Sequence, residues 1–268
     1  MSTTDLLGAL RGARVYDLEQ PRYAGAPTFP AHEPGVLLHL HRRHELDPIN
    51  PGERRTSASA LLVMAEHSGT HMDALCHQAE GLELHGGVKV DASVQTPYGF
   101  TTLGIDEVAP MIARGVLLDV PAAVGRALEP GHAITAGELQ AAAEGVELRA
   151  GDVVLVRTGA GALWVDRPAY EAGPGVGADG SSWLAGLRPL AVGADNLAWD
   201  APGLRDPGLG TLPGHTLLIV RAGIHIIESL YLEELAADGV REMLFVCLPL
   251  KLRGGTGSPV RPIALISP

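Results

Sequence analysis

The chain is short of cysteine, lysine and aromatic side chains, and each shortage narrows what it can be. Two cysteines, Cys76 and Cys247, cannot build a disulfide framework for 268 residues, which points to a reducing, cytoplasmic compartment. Lysine occurs only at Lys89 and Lys251, and arginine supplies the rest of the 20 basic residues. These face 31 acidic ones, for a net charge of -11. A nucleic-acid binder should show a basic face, and a protein that docks on an anionic membrane should too, so neither partner is expected. No apolar run approaches the roughly 18 residues of a membrane span. The opening MSTTDLLGALRGARVYDL has no basic segment followed by an apolar stretch, so no signal peptide is predicted.

Several motifs are missing too. There is no GxGxxG after a strand, no GxxxxGK[ST] and no GxSxG elbow, which removes nucleotide cofactors and an elbow serine nucleophile. The glycine-rich stretch Gly254–Pro259 leads into Pro259 and Pro262 rather than into a helix N-terminus, the wrong setting for a phosphate cradle. Aromatics are only 4%, so Trp164, Trp183 and Trp199 stand out as candidate pocket walls, with core packing the plainer role for each.

What is present is a globular composition, 46% hydrophobic and 19% charged. The 34 glycines and 20 prolines are scattered, with no linker, repeat or low-complexity tract, and a single domain over 1–268 is expected. Glu171–Gly180 is the most loop-like stretch. Apolar runs predict buried strands at Arg14–Leu18, Ser59–Glu66, Gly115–Val120, Asp152–Arg157, Leu190–Ala194, Met243–Leu248 and Ile263–Ile266. Helices are predicted at Thr4–Leu10, Gly161–Tyr170, His215–Ala222 and Leu230–Ala237. A further one starts at the capping box Thr135–Glu138 and stops at Gly145. Strands interleaved with helices give an α/β or mixed architecture, but their uneven spacing is not that of a doubly wound parallel sheet.

Eight of the 11 histidines lie between His32 and His85. The segment EHSGTHMDALCHQ, Glu66–Gln78, packs His67, His71, Asp73 and His77 most densely. A continuous helix cannot aim His67, His71 and Asp73 at one centre, but a tight turn at Ser68-Gly69-Thr70 can. Two imidazoles and one carboxylate suit Zn, Mn or Fe(II), and three protein ligands leave a position for water. The alternative is a solvated histidine loop. His39 and His41 alternate with Leu38 and Leu40, the pattern of a strand with one polar face, and His44 follows two arginines as an exposed residue would.

These residues resemble a known signature. His67-Ser-Gly-Thr-His71-Met-Asp73-Ala-Leu-Cys-His77 is similar to the H-x-G-T-H-x-D-x-P-x-H motif of the cyclase-like metal-dependent hydrolases, a family that includes bacterial kynurenine formamidases and isatin hydrolases. His215-Thr-Leu-Leu and Gly223-Ile-His-Ile-Ile-Glu228 look like the family's later block, and PLKLRGGTGSPVRPIAL resembles its C-terminal segment. The likeness spans residues 14 to 268. Leu75 stands where the motif often has proline, and the chain is longer than the compact formamidases, so its insertions can reshape a substrate pocket.

The resemblance implies a mixed β-barrel-like sheet with surrounding helices, of the swivelling β/β/α type, in a homodimer or homotetramer. It implies one or two divalent ions, Zn or Mn, with His67, His71 and Asp73 as first ligands. His215 and Glu228 would complete a second position, with Asp73 and Glu228 bridging. The sequence supports Glu228 independently: it is a carboxylate in the apolar segment GIHIIESL, where a buried charge needs a partner or a metal. A salt bridge is the other explanation. His225, on the opposite strand face, is read as exposed or as a satisfied core histidine. His77 takes the proton-transfer role in the family. The implied reaction is hydrolysis of a small aromatic amide, linear like N-formylkynurenine or cyclic like isatin, by a metal-activated water. A metal-dependent cyclase or dehydratase of a secondary-metabolite pathway would use the same residues. A non-catalytic metal- or ligand-binding module would need no proton shuttle.

Overall fold

A computed structural model describes residues 2–45, 52 and 54–267. Its centre is a curled nine-stranded mixed sheet. In chain order the strands are β1 (Arg14–Asp17), β2 (His71–Asp73), β3 (Met111–Asp119), β4 (Val153–Arg157) and β5 (Ala191–Ala194). They continue with β6 (His225–Glu228), β7 (Glu242–Cys247), β8 (Gly257–Pro259) and β9 (Ile263–Ile266). Across the sheet the order is β1-β9-β7-β3-β4-β5-β6-β2-β8. β3, β4, β5 and β6 run parallel, and every other pairing is antiparallel. This is the mixed α/β sheet the sequence implied.

The parallel strands are apolar along their middles because both faces are covered there. Val153 and Leu155 enter one core with Leu117, Ile227 and Phe245, while Val154 and Val156 enter a second with Val116, Leu118 and Ile226. The second core is roofed by helices Ala136–Ala142 and Ala178–Leu187. The expected capping box is formed: the Thr135 hydroxyl accepts from the Glu138 N–H, and the Glu138 carboxylate accepts from the Thr135 N–H. Among the described residues, no helix is long and apolar enough to cross a membrane.

Four expectations need correction. Ser59–Met64 is a strand, but it is not buried. It pairs with Val36–Arg42 in a separate two-stranded ribbon that exposes Leu37, Leu38, Leu40, Leu61, Leu62 and Val63. In place of the predicted helix Gly161–Tyr170 the chain makes a short 3-10 turn, Ala160–Leu163, and a short helix, Arg167–Glu171, because Asp166 caps a new start at Arg167. The helix predicted from Leu230 covers only Glu233–Ala237. The loop-like Glu171–Gly180 is buried from Gly173 to Gly177 and contains a strand, Gly175–Val176, beside Ala133–Ile134.

Candidate metal centre

The site forms where β2 is wedged between β6 and β8 at one end of the sheet. The register sets His71 opposite Glu228 on one side and Pro259 on the other. Strand alternation sends Met72 and Ile227 into the first core and turns His71, Asp73 and Glu228 to the other face. His67 arrives from the turn before β2. That turn needs Gly69, whose φ is +59° and whose added Cβ would lie 2.7 Å from the Arg22 guanidinium. Arg22 holds the turn by donating to the carbonyls of Ser68 and Thr70. His215 comes from the far side, in the short helix Pro213–His215 that runs into a π-helical segment, Thr216–Ala222. π segments are rare and often accompany functional sites.

The five residues named from the sequence as metal ligands therefore meet, and all five are buried. His67 Nδ1 lies 2.8 Å from Asp73 Oδ1, and His71 Nε2 lies 3.3 Å from Glu228 Oε2. His215 Nε2 is 3.2 Å from Glu228 Oε1 and 3.7 Å from Asp73 Oδ2. Neither of these last two oxygens has a hydrogen-bond partner. Two buried, unpartnered carboxylate oxygens are costly unless a cation takes them. One ligand atom each from His67, His71 and Asp73 falls within 4.8 Å of the others, and the same holds for Asp73, His77 and His215. The donor set of imidazoles and carboxylates fits a divalent ion such as Zn or Mn.

Each imidazole has its outward nitrogen tied down. His71 Nδ1 donates to the Gly69 carbonyl at 2.8 Å, and His215 Nδ1 donates to Asp200 Oδ2 at 2.7 Å. His67 Nε2 donates to the Thr256 hydroxyl at 2.8 Å, which in turn donates to Glu66. Such partners fix the tautomer and aim the remaining nitrogen inward. Burial lowers the basicity of His71 and His215, yet their carboxylate neighbours overcome this and raise both pKa values. Burial pushes Asp73 up, but the imidazoles of His77, His67 and His71 hold it far below the usual carboxylate range. Glu228 is raised by burial and by Asp73, and ends lowered by the neighbouring imidazoles of His215 and His71.

His77 is stacked on His67, with ring centroids 3.9 Å apart, and burial pushes its pKa down to about 3. A pocket of about 170 Å³ opens onto this cluster, lined by His77 and, on its outer side, by His32. His32 stacks on His67 at 4.8 Å, a placement its sequence neighbourhood did not reveal. Asp200, Thr256 and Glu66 were missed as well. The one available signal was the glycine-rich Gly254–Pro259, whose purpose is now clear: a Cβ on Gly257 would lie 2.6 Å from the His67 ring.

Four other histidines singled out from the sequence are not among the ligands. His39 is on the exposed ribbon, as is His41, which lies within hydrogen-bond distance of the Ser59 hydroxyl, and His44 is bonded to the Thr56 hydroxyl. His225 is a satisfied histidine that donates to the Asp73 carbonyl at 2.8 Å. The tryptophans belong to the packing. Trp199 and Trp164 are buried and donate to Ser181 and Pro21, and Trp183 lies against the second core.

A buried histidine–carboxylate cluster at the end of a curled mixed sheet, beside an open pocket, defines a metal-dependent hydrolase type of site. The model of the family described as "Putative cyclase" matches residues 16–201, and the chain belongs to that family. It is 28% identical over 255 residues to an isatin hydrolase of Roseibium aggregatum, covering 90% of this chain and 84% of that one. It is also 28% identical over 257 residues to a kynurenine formamidase of Sphingopyxis alaskensis, covering 94% and 97%. The crystal structure of a protein described as a novel cyclase superposes with a TM-score of 0.84 at 29% identity, covering 98% of this chain and 91% of that one. Isatin hydrolase A from Ralstonia solanacearum gives 0.77 at 25% identity, covering 100% and 98%.

Proposed function

We propose that the chain hydrolyses a small amide, either a linear aryl formamide of the N-formylkynurenine kind or a cyclic amide of the isatin kind. The enzyme class, a metal-dependent hydrolase acting on carbon–nitrogen bonds other than peptide bonds, is that of its named relatives. The observation that carries the reading is the pair of unpartnered oxygens, Asp73 Oδ2 and Glu228 Oε1, buried among three imidazoles. His67, His71 and Asp73 would hold one divalent ion, and His215 and Glu228 would complete a second position with Asp73 and Glu228 shared.

A bound ion supplies Lewis acidity to the water and to the carbonyl oxygen. His77 lines the pocket, stacked on His67. It takes the proton of the attacking water and returns it to the leaving nitrogen. Thr256, Gly69 and Asp200 keep the three other rings from turning while this happens. The test is hydrolysis of N-formylkynurenine and of isatin by metal-stripped protein reloaded with Zn or Mn. Turnover that returns with the metal supports the reading. Absence of turnover of either, with metal bound, removes both substrates.

The working unit in this proposal is a homo-oligomer. Its support is the ribbon formed by Val36–Arg42 and Ser59–Met64, whose large apolar side chains are about half exposed on both faces. An isolated two-stranded ribbon is marginal in water, and apolar exposure of this extent calls for a cover. Arg42, Arg43, Arg54 and Arg55 near its tip suit the surface of a second copy of this acidic chain.

A further inference from the structure

The metal pocket does not end at the metal. A second, larger chamber of about 420 Å³ adjoins it, and Phe29, Ala198 and Leu212 line both. The larger chamber is walled mainly by apolar groups, among them Pro30, Leu197, Pro202 and Leu204. Among the described residues, no lysine, arginine or histidine lines it. Among the described residues it has two carboxylates, and both are engaged elsewhere: Asp200 on His215, and Glu171 on Arg167 at 2.6 Å. The Tyr170 hydroxyl is likewise taken, by Ser229 at 3.0 Å.

The backbone at the junction is strained. Leu212 has a φ of +51°, and Trp199, next to Ala198 and Asp200, has a φ of +53°. Leucine and tryptophan rarely adopt this conformation, and such strain gathers where surroundings force a shape that function needs. Leu212 thus sits at the mouth between the chambers and one residue before the helix that carries His215.

We propose that the chamber binds a neutral, apolar substituent of the substrate, extending from an amide seated in the metal pocket. Its volume is that of a ligand site able to hold a second ring or an alkyl chain. A carboxylate there would be buried without a cation, beside two existing carboxylates, so anionic substituents are rejected. The amino-acid head of N-formylkynurenine is therefore a poor occupant, and Leu212, Leu197 and Leu204 set the specificity. This inference rests on the amide-hydrolase reading for its reaction and on the chamber alone for its choice of substituent.

The test uses three matched anilides with the metal-loaded protein: formanilide, 4-butylformanilide and 4-(4-formamidophenyl)butanoate. Burying four extra carbons should raise kcat/KM for the butyl compound over formanilide by at least about tenfold. The carboxylate-capped compound should show no such gain. Leu204→Trp, which fills the chamber, should bring the butyl-to-parent ratio to about one, and Leu197→Trp from a different segment should do the same. A wild-type ratio near one, or a ratio that survives both substitutions, overturns the proposal. Calorimetry with 4-butylaniline, which needs no chemistry, separates the two ideas. If no anilide is cleaved, the linear-formamide form of the hydrolase reading falls. The chamber is then upheld by binding that weakens at least tenfold in both tryptophan variants, and overturned by binding that is unchanged in them or absent from the wild type.

Discussion

Replacing Asp200 with asparagine turns one acceptor into a donor at the point where His215 is held. Asp200 Oδ1 accepts the Gly214 N–H at 2.6 Å, and Oδ2 accepts both His215 Nδ1 at 2.7 Å and the His215 N–H at 3.3 Å. In Asp200→Asn the amide oxygen keeps the shorter bond to Gly214, so the amide NH₂ faces the imidazole. His215 can accept that donor only by moving its own proton to Nε2, the nitrogen that faces Glu228 and Asp73. A metal must then displace this proton. Loss of such a supporting partner typically costs 10–100-fold in metal affinity, which is about 1.4–2.8 kcal/mol. The assay is a competition titration of Zn and of Mn against a chelator of known affinity, wild type beside variant, with circular dichroism to show that the fold is kept. A folded variant that binds both ions within twofold of the wild type would refute the argument that Asp200 sets the His215 tautomer.

Three further outcomes are expected. His77→Ala should retain metal at wild-type stoichiometry while amide hydrolysis falls about 10²–10⁴-fold; a comparable loss of metal would make His77 a ligand instead. Leu38→Asp combined with Leu62→Asp places two charges on paired positions of one ribbon face and should shift the chain toward monomer in light scattering, whereas an unchanged mass would clear the ribbon of that role. Burial without a counter-cation pushes Asp195 up to about 6, above its ordinary 3.8, so its contribution to stability is complete at low pH and is lost as pH rises through about 6. The shift of about two pH units corresponds to about 3 kcal/mol, and in urea unfolding the stability lost by the wild type between pH 4 and 8 should exceed that lost by Asp195→Asn by about that much. Parallel slopes would show that Asp195 titrates normally.

The ligands were legible from the sequence for two different reasons. His67, His71 and Asp73 come from one turn and the short β2, so local spacing alone brings them together. Glu228 was legible because a carboxylate in an apolar strand needs an explanation. Asp200 and Thr256 were not, since each reaches its histidine only after separate segments have closed around β2 and the helix at His215, and Glu66 acts only through Thr256. The parallel strands β4 and β5 read correctly because their apolar runs are short and bounded, while β3 begins at Met111, before the predicted Gly115. The same rule misread Ser59–Met64, since an apolar run records that a surface will be covered and not which part of the molecule covers it.

The ligand set draws on two stretches that lie far apart in the chain, residues 67–73 and 215–228, joined at the register His71–Glu228. Both cysteines are free and buried, so no covalent tie closes this span. An ion held by both stretches would act as a cross-link around a loop of about 140 residues. By the chain-entropy account of such closures, that restricts the unfolded chain by about 5 kcal/mol. The metal would then set the thermal tolerance of the protein as well as its chemistry. Chelation should lower the melting temperature of the wild type and leave that of a Glu228→Ala, His215→Ala double variant nearly unmoved.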